Sequence, residues 1–258
     1  MSPLPLTTAD LENLNSSFID PNLAKKAGLY RVSSIEGARL MSRNGGRDYS
    51  GVIYPYLLPE NSTVRMLRLR RDRPDVERKS DGSYKQTGKY LTRKGQGNLI
   101  YFAPDTKSAW LTDISLPVAI TEGEKKTLSL HRLSWHGGEG NSPCPNFLPL
   151  GLSGIWNWRG KFGEEKDAQG RTRVLKGPIP DLELLTWQDR TVFIVFDSNA
   201  ITNTNVYRAR RALTDELIAR GHPRGAFHRS QPRSPNRQNR ASCTTSAHGR
   251  FCHLGYCR

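Results

Sequence analysis

The sequence predicts an α/β fold: a parallel sheet flanked by helices, preceded by a smaller α+β region. Three observations predict it. Two short apolar runs, Leu116–Thr121 and Thr191–Phe196, are rich in β-branched and aromatic residues, as in strands buried on both faces. Each run ends abruptly in a carboxylate, Glu122 and Asp197, at the strand end where open α/β sheets gather their chemistry. From residue 111 onward, strand patterns alternate with helical ones, the rhythm of helices covering a parallel sheet.

The elements follow in order. Residues 8–29 read as helical, with Thr8 or Asp10 as a cap and a break at Asp20-Pro21. Gly45-Gly46 and Asp48 mark a loop. Residues 52–58 and 63–70 read as two strands of a hairpin around a turn at 59–62, and Pro55 makes the first an edge or bulged strand. In the second strand Val64, Met66 or Leu67, and Leu69 face inward, and Arg65, Arg68 and Arg70 face out. Residues 72–98 are polar and rich in Gly and Lys, the composition of a mobile loop, and 98–102 read as a further strand. Then come a strand at 118–121, a helix at 124–133, a strand at 147–152, a helical turn at 182–187 and a strand at 192–196. A helix at 203–220 is capped by Asn203, with Val206, Ala209, Leu213, Leu217 and Ile218 on its apolar face. Periodicity stops at Gly221. The expected organisation is an α+β region with a basic hairpin at 1–110, an α/β domain at 111–220, and a disordered basic tail at 221–258, the last resembling a truncation or a shifted reading frame.

Composition narrows the class. The 258 residues are 36% hydrophobic, enough for a real core, and no apolar run approaches the ~20 residues of a membrane helix. The start lacks a basic leader followed by an apolar stretch, so the expected location is the cytoplasm. The net charge of +15 is concentrated: residues 61–100 carry 11 Lys or Arg against 4 acids, and residues 221–258 carry 7 Arg against none. Localised basic surface is what a nucleic-acid partner requires, because neutralising phosphates releases counterions. Of four cysteines three lie in the last 16 residues, so no disulfide framework holds the body. There is no Gly-x4-Gly-Lys-Ser/Thr loop and no Gly-x-Ser-x-Gly elbow, which excludes a P-loop motor and an α/β-hydrolase.

Thr121–Lys126 is a strand-to-helix turn. Gly123 permits the bend, and the helix start offers unpaired N–H groups to a phosphate. Lys125 and Lys126 add two cations. Glu122 is thus a candidate acid/base or metal ligand, or else a capping carboxylate beside solvated lysines. Asp197 is a candidate Mg²⁺ ligand, and Asn199 adds a neutral oxygen two residues on, unless both serve only the turn. Trp156, Trp158 and Arg159 follow the 147–152 strand; because i and i+2 face opposite ways, one Trp is expected to pack and the other to be available for stacking on bases. Arg65, Arg68, Arg70, Arg71 and Arg73, with Tyr54 and Tyr56, form a basic and aromatic mixture suited to single strands, or a charged edge strand. Cys243, His248, Cys252, His253 and Cys257 offer zinc ligand types at a spacing that matches no finger.

Residues 120–126 followed by Val195–Asn199 resemble the Toprim domain of primases, topoisomerases and related nucleases. More closely, residues 10–220 look like an uncharacterised Toprim-like family, a domain of unknown function associated with phage, plasmid and mobile-element replication. Pro149–Arg159 and Val52–Tyr56 with Arg68–Arg71 fit it too. The resemblance implies that Glu122 is the strand-end acid/base and Asp197 the first aspartate of an Asp-x-Asp metal motif. Asn199 stands where the second aspartate would fall, and a further acidic residue expected downstream falls in the aberrant tail. The implied activity is Mg²⁺-dependent phosphoryl transfer of primase or nuclease type, with catalytic Glu122, Asp197, Lys125 and Lys126 and metal ligands Asp197, Asn199 and Glu122. Nucleic acid, DNA before RNA, would be held by Arg65, Arg68, Arg70, Arg71, Trp158 and Arg159, with a helicase or primase as a possible partner. The rivals are a non-catalytic nucleic-acid-binding accessory module on the same fold and a truncated, inactive gene product.

Overall fold

The computed structural model describes residues 3–61, 63–136, 144–197 and 203–221, all within one compact unit spanning Met1–His228. The order is α1 (Thr8–Asn15), α2 (Pro21–Lys26), β1 (Tyr30–Val32), α3 (Ser34–Leu40), β2 (Gly51–Leu57), β3 (Val64–Arg71), β4 (Asp75–Arg78), β5 (Tyr84–Thr87), β6 (Tyr90–Thr92) and β7 (Tyr101–Phe102). It continues with α4 (Ser108–Thr112), β8 (Val118–Glu122), α5 (Glu124–Ser134), β9 (Leu148–Leu152), β10 (Arg159–Lys166), β11 (Thr172–Pro178), a 3-10 turn (Pro180–Leu184), β12 (Val192–Val195) and α6 (Thr204–Ala219). No helix among the described residues is long and apolar enough to cross a membrane. The tail call, with its cysteines and histidines, lies outside the described residues, as does Asn199.

The N-terminal half is built on an antiparallel sheet ordered β1-β2-β3-β6. Its helices begin on side-chain caps. Thr7 and Asp10 form a reciprocal capping box on α1, one residue earlier than the Thr8 start expected, because Thr7 holds the extended dihedrals of an N-cap. Asp20 caps α2 and Pro21 takes its first position, where a missing N–H costs nothing. Pro55 does not lie on an outer strand. The strand β2 is internal, yet β1 covers only Gly51–Ile53, so β2 has a local free edge at Pro55, and the ladder to β3 shifts register between Tyr56 and Leu57. Both faces of this sheet are covered. Val52, Tyr54, Tyr56 and Met66 pack with α1, α2 and Leu128 of α5; Ile53 and Leu69 pack with Val32, Met41 and Tyr49.

Residues 72–98, expected as loop, instead contain a two-stranded hairpin (β4 and β5) and β6. The Asp81-Gly82 turn closes that hairpin: Asp81 Oδ1 accepts from the Ser83 backbone N–H, and Gly82 has φ +81°. A second hairpin, β10 with β11, occupies residues 159–178, where no element was expected.

The second main sheet is ordered β12-β8-β9-β7. The pairs of β8 with β12 and with β9 are parallel; β7 pairs antiparallel with β9. The expected wholly parallel sheet is therefore mixed, with an antiparallel edge strand supplied by the 98–102 segment. On one face Val118, Ile120, Leu148, Leu150 and Val192 meet Leu213 and Leu217 of α6, Trp187 and Leu182. On the other, α5 lies close to β9. A side chain at Gly151 would come within 2.4 Å of Thr127 Oγ1, so this strand glycine is the condition for that approach. Arg190, fully buried just before β12, donates from all three of its terminal nitrogen positions to backbone carbonyls: Nε to Leu116 at 2.9 Å, Nη1 to Leu111 at 2.6 Å and Nη2 to Trp110 at 2.7 Å. It ties the α4–β8 junction to the start of β12.

Candidate functional site

Parallel pairing sets the site. In register, Thr121 of β8 faces Val195 of β12, and Glu122 faces Leu152 of β9. The strand-end residues of β8 and β12 thus emerge at one rim of the sheet. Thr121 Oγ1 fastens the two strands by donating to Val195 O at 2.8 Å. Beyond the strand, Gly123 has φ +84° with open space around its missing Cβ; the backbone angle, not crowding, requires glycine there. This turn starts α5 at once and brings Lys126 back over Glu122, one helical turn on.

Lys126 Nζ donates to Glu122 Oε1 at 2.9 Å and to Asp197 Oδ1 at 2.5 Å. One ammonium therefore touches both carboxylates. Burial pushes the Glu122 carboxyl above the ordinary glutamate value, and its hydrogen bond to Asp197 pushes the same way, while Lys126 opposes. Asp197, accepting from Glu122 and from Lys126, is held below the usual aspartate value. The opposite shifts describe one proton kept on Glu122 and shared with an ionised Asp197. Burial draws Lys126 down, but the hydrogen bonds to the two acids more than offset it and leave its ammonium raised.

Lys125 points elsewhere. Its Nζ donates to Asn13 O at 2.9 Å and to Asn13 Oδ1 at 3.0 Å, and its ammonium is lowered by burial and by the charges of Arg70 and Lys89. It does not join the carboxylate pair.

The arginines of β3 are not a solvent-facing phosphate surface. Arg65 forms a two-pronged ion pair with buried Asp181, at 2.9 and 2.5 Å. Arg68 donates Nη1 to Glu124 Oε1 at 2.7 Å and Nη2 to Ser153 O at 2.7 Å, and its guanidinium lies 4.9 Å from the Tyr90 ring centre. Arg71, 3% exposed, binds Asp75 and the Asp48 carbonyl. Arg70 is half-buried beside Tyr90, to which it hydrogen-bonds; Arg73 alone of the five is fully exposed. The expectation failed because both faces of β3 are covered, so strand alternation does not send its charged residues to water. Tyr54 and Tyr56 are buried as well, and burial drives both phenols up, Tyr56 with further help from Glu124. Trp158 is also corrected: it is 4% exposed and packs in the core, so it cannot stack on a base. Trp156 is the partner left half-buried, and Arg159 lies across Trp158 at 5.4 Å.

Glu124 was overlooked by sequence reasoning. It is 1% exposed, accepts from Tyr56 Oη at 2.6 Å as well as from Arg68, and leaves its second oxygen buried without a partner. Its only sequence signal was position: a carboxylate at the first residue of α5, where the helix N-terminus favours negative charge. Among the described residues no group of three or more His, Cys, Asp or Glu side chains is arranged to hold a metal ion. The rim pair supplies two hard carboxylates, the number Mg²⁺ commonly takes from protein when phosphate oxygens and water complete its shell.

Residues 107–227 match the family model described as Domain of unknown function (DUF3854). The matched segment contains both Glu122 and Asp197, and an uncharacterised family is what the two motifs led us to expect. No curated protein matches. Among solved structures, the chain is similar to the Aquifex aeolicus primase (zinc-binding and RNA polymerase domains), with 16% identity and a TM-score of 0.47 over 84% of this chain and 48% of that one. The chain thus spans about half the length of that solved chain.

Proposed function

We propose that this chain is a Toprim-like module that carries out Mg²⁺-dependent phosphoryl transfer on nucleic acid, in the replication of a mobile element such as a phage or plasmid. The observation that carries the reading is the Lys126 ammonium touching Glu122 and Asp197 together at one strand rim. A cation already stands between the two acids, and the donor set of two hard carboxylates suits Mg²⁺. Asp197, the ionised member, and Glu122 would hold the metal, with Asn199 as a neutral third donor. When bound, the ion would neutralise charge developing on a transferring phosphoryl group. Glu122, which keeps its proton, is suited to give it to a leaving oxygen and to take one back from an attacking hydroxyl. Lys126 is free to turn from the carboxylates to a phosphate oxygen once metal neutralises them. The basic segments at 61–100 and 221–258 supply the charge that draws a polyanion, DNA before RNA, and a replicative helicase or primase is the natural partner. We treat the antiparallel sheet and the α/β layer from residue 111 onward as its two functional parts.

Incubation of a labelled single-stranded oligonucleotide with Mg²⁺ and nucleoside triphosphates is expected to yield extended or cleaved product. Glu122→Gln should lower the rate by about 10²–10⁴-fold, the usual contribution of a positioned acid/base. Asp197→Asn should raise the Mg²⁺ concentration needed. A second reading, a non-catalytic nucleic-acid-binding module, is favoured by Asn199 standing where a second acid would strengthen the metal site. Absence of any metal response in the wild type, or equal product from Glu122→Gln, would replace the first reading by the second.

A further inference from the structure

The hairpin of β10 and β11 carries an arrangement that folding alone does not explain. In its antiparallel register Lys161 lies directly opposite Lys176. Like charges at directly opposed positions destabilise a strand pair. The pairing sits at the base of the hairpin, beside a register shift between Lys161 and Gly163, and Arg159 projects from the same side two residues earlier. Three cations therefore converge where a neutral or mixed set would be more stable.

These residues line a cavity of about 390 Å³, together with Asn98, Trp156 and Asn157. That volume lies within the roughly 300–1,000 Å³ usual for small-molecule sites. No carboxylate lines it. Several of its walls are fixed in advance. Arg159 lies across Trp158 and donates Nη2 to Lys176 O at 3.2 Å. Asn98 Nδ2 donates to Arg159 O at 2.7 Å, and Asn157 Nδ2 to Ser153 Oγ at 2.8 Å. Trp156 donates Nε1 to Asn205 Oδ1 at 2.9 Å, which sets its ring against the first turn of α6. Lys161 also meets Glu164, an exposed pair of little strength in water.

We infer that this cavity is a binding subsite for single-stranded nucleic acid: Lys161, Lys176 and Arg159 hold a backbone phosphate, and Trp156 offers its ring to an adjacent base. A phosphate between the opposed lysines would turn their repulsion into shared attraction. The face of a preset aromatic ring suits stacking without demanding a particular base. The subsite is joined to both arms of the rim: residues 153–158 continue from β9, whose Leu152 pairs with Glu122, and Asn205 opens the helix that follows Asp197. The choice of ligand rests on the nucleic-acid reading above; the site itself needs none of the chemistry at Glu122.

The test is fluorescence anisotropy of the full chain with fluorescein-labelled oligodeoxythymidylate across a salt series. Lys161→Glu with Lys176→Glu should weaken binding at least tenfold near 0.1 M salt and flatten the salt slope by about 1.4, from two lost phosphate contacts. The same charge change at the far end of the hairpin, Lys166→Glu with Arg173→Glu, should stay within threefold of wild type. Trp156→Ala should weaken binding at least fivefold and Trp156→Phe should restore most of it. Lys176→Glu alone should leave the thermal midpoint unchanged or raised, because it relieves a like-charge pair. Cavity variants that bind within threefold of wild type, or far-end variants that lose as much, would overturn the subsite and leave the nucleic-acid reading standing. A wild type that binds no oligonucleotide would overturn both. Glu122→Gln should bind as wild type does, so a failure of the chemistry is read separately.

Discussion

Arg190→Met is expected to lower folding stability by about 2–5 kcal/mol, read as a shift of the urea midpoint with unchanged slope. The reason is the three carbonyls that this fully buried guanidinium satisfies. Leu111 O keeps a second donor, the Thr186 amide at 3.1 Å, whereas Leu116 O and Trp110 O lose their side-chain partner. Each buried group left unpaired costs about 1–3 kcal/mol. Against a total stability of roughly 5–15 kcal/mol, that loss takes the fold close to its limit. Burial draws the Arg190 guanidinium down to about 10, with Asp113 opposing, so it stays charged at neutral pH. Arg190→Lys should recover only part of the loss, because one ammonium cannot span three carbonyls held by a planar fork. A midpoint within about 0.5 kcal/mol of wild type, the range of inert surface changes, would mean that the carbonyls find other donors.

The second large effect is expected at Arg68 and Glu124. Arg68→Leu leaves a buried carboxylate with Tyr56 alone, a loss of about 3–5 kcal/mol by the usual penalty for an uncompensated buried charge. The double variant Arg68→Leu with Glu124→Leu should be more stable than Arg68→Leu by itself, since it removes the stranded charge and the unpartnered oxygen together. This network joins β3 of the antiparallel sheet to the first residue of α5 and, through Ser153 O, to the end of β9. It therefore holds the strand-end rim against the N-terminal half. Urea melts of the four proteins in the cycle give the coupling; additive single effects would show that the three side chains act apart.

How much could be read from the chain varies by element. The runs ending in Glu122 and Asp197, and the apolar stripe of α6 at Val206, Ala209, Leu213 and Leu217, were legible because their burial repeats at strand or helix period. The β10–β11 hairpin was not. Most of β11 is exposed, so no hydrophobic alternation marks it; the available sign was turn chemistry, Asp167 accepting from the Gln169 and Arg171 amides. Asp81-Gly82 was a comparable sign within residues read as loop. The arginines of β3 were misplaced for a different reason. Their carboxylate partners, Asp181 and Glu124, lie 116 and 56 residues away, and nothing local announces such pairs. Of the candidate site, the strand-end acids and Lys126 come together in space, Lys125 turns to Asn13, and the cavity cations became visible only through the cross-strand register.

The central claim is that Glu122 and Asp197 form one coupled pair at a single rim. Titration of the side-chain carboxyl carbons by ¹³C NMR addresses it directly, in the wild type, in Asp197→Asn and in Lys126→Met. Glu122 should titrate above the ordinary glutamate range; Asp197→Asn should bring it down by removing the acceptor that favours its protonated form, and Lys126→Met should push it further up by removing the cation that opposes it. A Glu122 that titrates at its ordinary value and ignores both substitutions would contradict the pair, and with it the site.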